Sequence, residues 1–358
     1  MIFNADEKNV RVHGRTLFIN GIRYIDYSCA GTAFMFTGKE VKVRLTSDFK
    51  PDPNCGEIFM PFCAVLVNGV MTKRFEVRES EAVYELYSSD KEETVEIELI
   101  KMSEAAFGKV GIVEFITDSD IPPVPTAEKE RKIEFVGDSI TCGYGIEGVV
   151  EKDTFNTAQE NPFTAYAAST ARAFGADFNL ISWSGIGVYS SWVDENAEKP
   201  LDNWLSPVLY PCTDAAYCND NNIIPFDPWD FSRFVPKVIV INLGTNDQSF
   251  TKGIDERIEK FRSLYKDYIK LIREKNPDAE IICSLGAMLD GLCDAVEKTV
   301  REYSDETGDK HIHYLKFTMH TEADGIAADY HPSQNTHNRM VRELSAKITE
   351  VTGWNTIN

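Results

Sequence analysis

The sequence predicts an α/β fold: a three-layer domain on a parallel sheet, preceded by an all-β domain of sandwich or jelly-roll type. Short alternating stretches fill residues 1–118, a proline-rich break follows, and beyond it apolar strands alternate with amphipathic helical runs. At 358 residues the chain exceeds the size at which one core usually stops growing, so two domains are expected.

The first region, 1–118, reads as about eight strands, among them "RTLFING", "IRYIDYS", "EVKVRLTS", "FCAVLVNG" and "TVEIELIKMS". Asn20-Gly21 and Asn68-Gly69 mark two-residue hairpins, because both residue types tolerate positive φ. In "TDSDIPPVPTAEKE", Pro122, Pro123 and Pro125 cannot continue a central strand, so 119–130 reads as a linker. In the second domain, 131–358, strands are expected at 132–137, 177–183, 237–243, 279–285 and 311–317, and helices at 163–175, 254–275, 291–305 and 335–351. "KVIVINLG" is apolar almost throughout, as buried parallel strands are. In 254–275, Ile254, Ile258, Phe261, Leu264, Tyr265, Tyr268, Ile269 and Ile272 make one helical stripe. Residues 188–232 fit neither pattern and hold Trp192, Trp204 and Trp229, as an aromatic insertion over the sheet's end would.

A formal net charge of −20 repels phosphate backbones and anionic lipid, which argues against nucleic acid and membrane partners and leaves a neutral substrate unpenalised. No secretory signal is visible at the start, and no run approaches a membrane span. The eight cysteines lack CxxC spacing and read as reduced core residues of a cytoplasmic protein, with a Cys212–Cys218 disulfide as the alternative.

Each strand end in the second domain offers a chemical group. The first runs into Gly137-Asp138-Ser139, where Ser139 is either a helix N-cap or a nucleophile at the carboxyl edge of the sheet. The second ends in "SWSGIG", where Gly185 brings a backbone N–H near a ligand without a side chain intervening, with Gly187 as its rival. The third ends in "NLGTNDQ", placing the Asn246 amide at the edge, and "DYHPS" presents His331 before a last helix. Parallel strands share a direction, so these groups converge as a nucleophile, oxyanion donors and a base, the parts of acyl transfer. Capping alone gives no reason for Asn246 and His331 to match as well. Asp138 reads as a brace of the serine turn, and Asp247, Asp290 and Asp294 as solvated or capping groups. His311 and His313 read as surface residues, since no third metal ligand lies nearby in sequence. Trp183 is either core or a wall of an acyl pocket; Trp192, Trp204 and Trp229 either anchor the insertion to the sheet or offer a sugar-stacking face, for which Trp229 is favoured.

"GDSITCGYG", the following glycine, "GTND" and "DYHPS", in that order over 133–352, resemble the SGNH (GDSL) hydrolase superfamily. Together with the β-domain in front, the chain is similar to carbohydrate esterase family 2 along nearly its whole length. The resemblance implies removal of O-acetyl groups from plant-derived sugars, with Ser139 as nucleophile and His331 as general base. It also implies an oxyanion hole from the Ser139 and Gly185 N–H groups and the Asn246 side chain, and no metal or organic cofactor. The wider superfamily has its triad aspartate three residues before the histidine, where this chain has Ala328. Asp329 stands two before. A Ser-His dyad, with Nδ1–H of His331 donating to a main-chain oxygen, is therefore expected, and Asp329 is the alternative orienter. The expected partner is an acetylated manno-, xylo- or gluco-oligosaccharide, and the oligomeric state stays open. A lipase or thioesterase, or a sugar-binding protein with a vestigial hydrolase domain, are the rival readings.

Overall fold

The computed structural model describes residues 1–51, 54 and 56–357. Two compact units emerge. The first comprises Met1–Glu128, Asn156–Glu160 and Thr213–Asp227; the second comprises Lys129–Phe155, Asn161–Cys212 and Pro228–Asn358.

The first unit is all-β over 1–128. Its strands hydrogen-bond into one ten-stranded network, tied together by two long strands, Gly31–Ser47 and Glu81–Lys101. Phe34, Val43, Ile97, Leu99 and Phe115 are fully buried at its centre. Both expected hairpins form, with positive φ at Asn20 (54°), Gly21 (81°), Asn68 (51°) and Gly69 (78°), the pairing that matches the twist of the flanking strands.

Two boundaries depart from the sequence reading. Within 119–130, Val124–Pro125 pairs antiparallel with Phe34–Met35, because an edge position asks no N–H of the proline. Residues 156–160 and 213–227 also belong to the first unit. The Thr157 N–H donates to the Ile58 carbonyl at 2.8 Å, Arg74 donates to the carbonyls of Thr157 and Glu160, and the Tyr217 ring packs 4.4 Å from that of Tyr24. Cys29, Cys63, Cys142, Cys212, Cys218, Cys283 and Cys293 are buried and outside any disulfide, so Cys212 and Cys218 are not bridged; Cys55 lies outside the described residues.

The second unit holds a five-stranded parallel sheet in the spatial order Asp177–Ser182, Lys132–Gly137, Val238–Asn242, Glu280–Gly286, Ile312–Phe317. Val238–Asn242 and Glu280–Gly286 are buried along their whole length, which is why they read as unbroken apolar runs. Helices Tyr166–Ala173, Asp255–Lys275, Cys293–Thr307 and Gln334–Thr352 flank it. The stripe of 255–275 buries Phe261, Tyr265, Tyr268, Ile269 and Ile272. The first strand in sequence lies between the second and the third, so the order reverses beside Lys132–Gly137, and doubly wound sheets bind ligands at that switch point. Among the described residues no helix is long and apolar enough to cross a membrane.

Candidate active site

Ser139 stands two residues past the end of the strand Lys132–Gly137 and begins the one-turn helix Ser139–Cys142. Asp138 caps that turn, its Oδ1 accepting the Ile140 N–H at 3.0 Å, so the aspartate braces the serine as expected. The Ser139 Oγ lies 2.9 Å from Nε2 of His331. Nδ1 of His331 lies 3.1 Å from the main-chain oxygen of Asp329. A carbonyl only accepts, so Nδ1 carries the hydrogen and Nε2 presents its lone pair to the serine hydroxyl. Burial lowers the imidazole to about 4, against the smaller raising influence of the Asp329 carbonyl and carboxylate. At neutral pH it is therefore an uncharged acceptor.

The Asp329 side chain takes no part in that bond. Its Oδ2 accepts the phenol hydrogen of Tyr144 at 3.0 Å. Asp329 (φ 49°) and Tyr330 (φ 61°) are both left-handed, and this turn is what brings the Asp329 carbonyl round to the imidazole. Such a conformation costs about 1–2 kcal/mol per non-glycine residue, so the surrounding contacts must hold it.

The second strand end places Gly185 at φ 78°, with open space where a Cβ would project. Among the described residues neither its N–H nor that of Ser139 donates to a protein acceptor. Asn246, beyond the third strand, donates through Nδ2 to the Ile186 carbonyl at 2.9 Å and stands 3.5 Å from Oδ2 of Asp138. The amide thus touches both the loop carrying Gly185 and the turn carrying Ser139. Gly187, the rival position, is closely packed: a Cβ there would meet the Ser190 carbonyl at 2.0 Å and both Asp247 oxygens at 2.8 Å.

Asp247 corrects the reading of it as a solvated or capping group. It is fully buried, and its carboxylate accepts the N–H groups of Val188 (3.0 Å), Tyr189 (2.6 Å) and Ser190 (3.0 Å). It fastens the loop after Gly185 from below. Desolvation raises it to about 6 even though these donors pull the other way, so it is ionised at neutral pH.

A model of the GDSL-like lipase/acylhydrolase family matches residues 135–339, and one of the carbohydrate esterase 2 N-terminal domain matches residues 12–125. A family two carbohydrate esterase from Clostridium thermocellum, solved in complex with cellohexaose, superposes with a TM-score of 0.83 at 33% identity, covering 96% of this chain and 99% of that one. The chain belongs to carbohydrate esterase family 2. This family-two chain is 36% identical, over 81% of its length, to the cellulase/esterase CelE of Acetivibrio thermocellus, and spans 34% of that protein. An acetylxylan esterase / glucomannan deacetylase of Cellvibrio japonicus is 28% identical, with 72% of this chain and 67% of that one covered. An acetyl xylan esterase, Est2A, from Butyrivibrio proteoclasticus shares the fold, with a TM-score of 0.86 at 22% identity and 99% of both chains covered.

The aromatic residues of this family-two chain are placed differently from the sequence reading. Trp229 is 7% exposed, with the Arg233 guanidinium 5.2 Å from its ring centre, so it is a core residue and not a stacking face. Trp183 is half-buried and meets Trp204 edge-on at 5.3 Å. The open faces are those of Trp192, whose N–H donates to the Gly185 carbonyl, and Tyr330, which precedes His331; each is 58% exposed. His311 and His313 are not simply exposed histidines: both imidazoles meet the Glu280 carboxylate at 2.9 Å, a partner 31 and 33 residues away that spacing alone does not reveal.

Proposed function

We propose that this chain is a carbohydrate O-acetylesterase working through a Ser139–His331 dyad. One observation carries the reading: Ser139 Oγ sits 2.9 Å from an imidazole whose other nitrogen is committed to a main-chain carbonyl. Neutral His331 takes the Ser139 proton as Oγ attacks the acetyl carbonyl. The negative charge that develops on the carbonyl oxygen faces the N–H groups of Ser139 and Gly185 and the Asn246 amide. His331 returns the proton to the sugar alcohol as it leaves. Water, deprotonated by the same imidazole, then releases acetate. A carbonyl acceptor enforces the tautomer that a triad carboxylate would, without its charge.

The sugar specificity follows the names of the relatives and the two exposed rings, Trp192 and Tyr330, beside Gly185 and His331. Acetylated plant oligosaccharides are the substrate class, and cytoplasmic action belongs to the same proposal, supported by seven buried cysteines that form no disulfide among the described residues. Acetate release from acetylated xylan and mannan fragments, followed by NMR, is the test. Ser139→Ala is expected to lower turnover by roughly 10⁴-fold or more. Equal release by wild type and variant would overturn the reading.

A further inference from the structure

The motif string "GDSITCGYG" contains a residue that the dyad leaves unused. Tyr144 lies five residues after the nucleophile, and its N–H donates to the Ser139 carbonyl at 3.0 Å. Its ring stacks on Phe155 on one side (3.5 Å between centres, 12° between planes) and packs on the His331 imidazole on the other (4.4 Å, 34°). Phe155 is 2% exposed and so cannot yield. The tyrosine is pinned from both flanks. A Cβ at Gly143 (φ 71°) would meet the Asn161 carbonyl at 2.5 Å, and one at Gly145 (φ 63°) would meet Ala328 at 3.0 Å. The Gly145 carbonyl accepts the Ala328 N–H at 3.2 Å, so the turn at 143–145 docks directly on the segment that carries the histidine.

At the tip of the ring, the phenol O–H donates to Asp329 Oδ2. Asp329 is the residue whose own carbonyl receives Nδ1–H of His331 from a left-handed backbone. Aspartate tolerates the left-handed region but tyrosine does not, so two such residues in succession are held by their surroundings, and the Tyr144–Asp329 bond is one such hold.

We propose that Tyr144 is the positioning residue of the dyad: its ring fixes the plane of the His331 imidazole, and its hydroxyl holds Asp329 so that the main-chain carbonyl, not the carboxylate, selects the tautomer. The Asp329 carboxylate then acts through a tyrosine instead of through the histidine. Asparagine keeps an acceptor oxygen and tolerates positive φ, whereas alanine keeps neither. The two substitutions at 329 therefore separate this arrangement from a triad, in which asparagine is as damaging as alanine.

The proposal rests on the Ser139–His331 reading, and its test has one arm that needs no substrate. In nitrogen-15-histidine-labelled enzyme, the His331 ring shifts are expected to report a single Nδ1–H tautomer in the wild type and in Asp329→Asn, and a mixture in Tyr144→Phe and Asp329→Ala. In the kinetic arm, Tyr144→Phe is expected to lower kcat roughly tenfold with KM unchanged. Asp329→Asn should stay within about threefold of wild type. The double variant Tyr144→Phe/Asp329→Ala should be no worse than Asp329→Ala alone, since both changes remove one link. A loss on the order of 10³ or more in Asp329→Asn restores the triad and overturns the proposal. So does an unchanged kcat and tautomer in Tyr144→Phe. If no variant is active on any acetate ester while the tautomer pattern follows the expectation, the positioning stands and the esterase reading fails.

Discussion

Both units bury acids, and they do so in opposite ways. In the first, Asp26, Asp214, Glu104, Glu160 and Lys101 are all fully out of water. Lys101 donates to the carbonyls of Asp26 and Glu104, both at 2.9 Å, so the acids lie beside one another with single backbone donors, Val110 N–H to Asp26, Tyr217 N–H to Asp214 and Glu104 N–H to Glu160. Burial and the neighbouring acid push Asp26 and Glu160 well up, and burial raises Asp214 as well. The Asp26 and Asp214 carboxyls lie against each other, and that neighbour together with burial opposes ionisation of Asp26. In the second unit, Asp247 is equally buried but faces three backbone N–H groups, and it keeps its charge at neutral pH. A buried acid beside a second acid has its ionisation opposed by that neighbour; a buried acid ringed by N–H donors has its charge supported. Burial alone marks neither one as functional. The partners decide.

The sharpest way to break this comparison is to make the same isosteric change in both units. Asp247→Asn keeps the volume but turns an NH2 group toward backbone donors. It is expected to cost roughly 10² in kcat, because the loop bearing Gly185 loses its anchor. A loss confined to thermal stability would make Asp247 a structural acid like those of the first unit. pH dependence sharpens the point. In the wild type, kcat/KM should begin to fall as pH drops through about 6, where Asp247 takes up a proton, and be lost through about 4, where His331 becomes charged. In Asp247→Asn only the fall at about 4 should remain, and a single limb near 4 in both proteins would show that the carboxylate charge is idle.

The first unit answers with stability instead. Asp26→Ala strips the acceptor of the Val110 N–H, 3.0 Å away, and the partner of Asp214, and is expected to cost about 2–3 kcal/mol in chemical denaturation with kcat unchanged. Asp26→Asn keeps an acceptor for the Val110 N–H and offers a donor toward Asp214, and should be within about 1 kcal/mol of wild type at neutral pH. The linkage has a definite sign. Carboxyls raised in the folded state contribute stability below their unfolded value near 3.8, and that contribution is lost as pH rises through the raised value. Asp26→Asn should therefore flatten the decline in stability toward alkaline pH, and a steeper decline would mean that Asp26 is ionised in the native protein. The smallest effect expected is at the hairpin tip. Asn68→Ala forces alanine to φ 51° and should cost about 1 kcal/mol without touching catalysis.

The parallel sheet was legible because buried strands advertise themselves: all five lie within a residue or two of the apolar runs that predict them. The convergence of Ser139, Gly185, Asn246 and His331 followed from strand direction alone. What stayed hidden depends on distant backbone. Asp247 sits in the same "GTND" string as Asn246, but only the fold shows which three N–H groups it meets. Tyr144 was in plain view inside its motif, with two glycines beside it, and no local pattern tells that its ring reaches a histidine 187 positions on. Trp229 shows the reverse error, since counting aromatics in an insertion does not separate a face turned outward from one packed inward.

The membership of 156–160 and 213–227 in the first unit bears on how the polypeptide matures. A nascent chain released to residue 128 already holds every strand of that unit, yet it lacks the Asp214 partner of Asp26 and the tyrosine ring that covers Tyr24. Co-translational folding cannot then finish one module before starting the next. Closure of the first unit waits until residues 213–227 have left the ribosome.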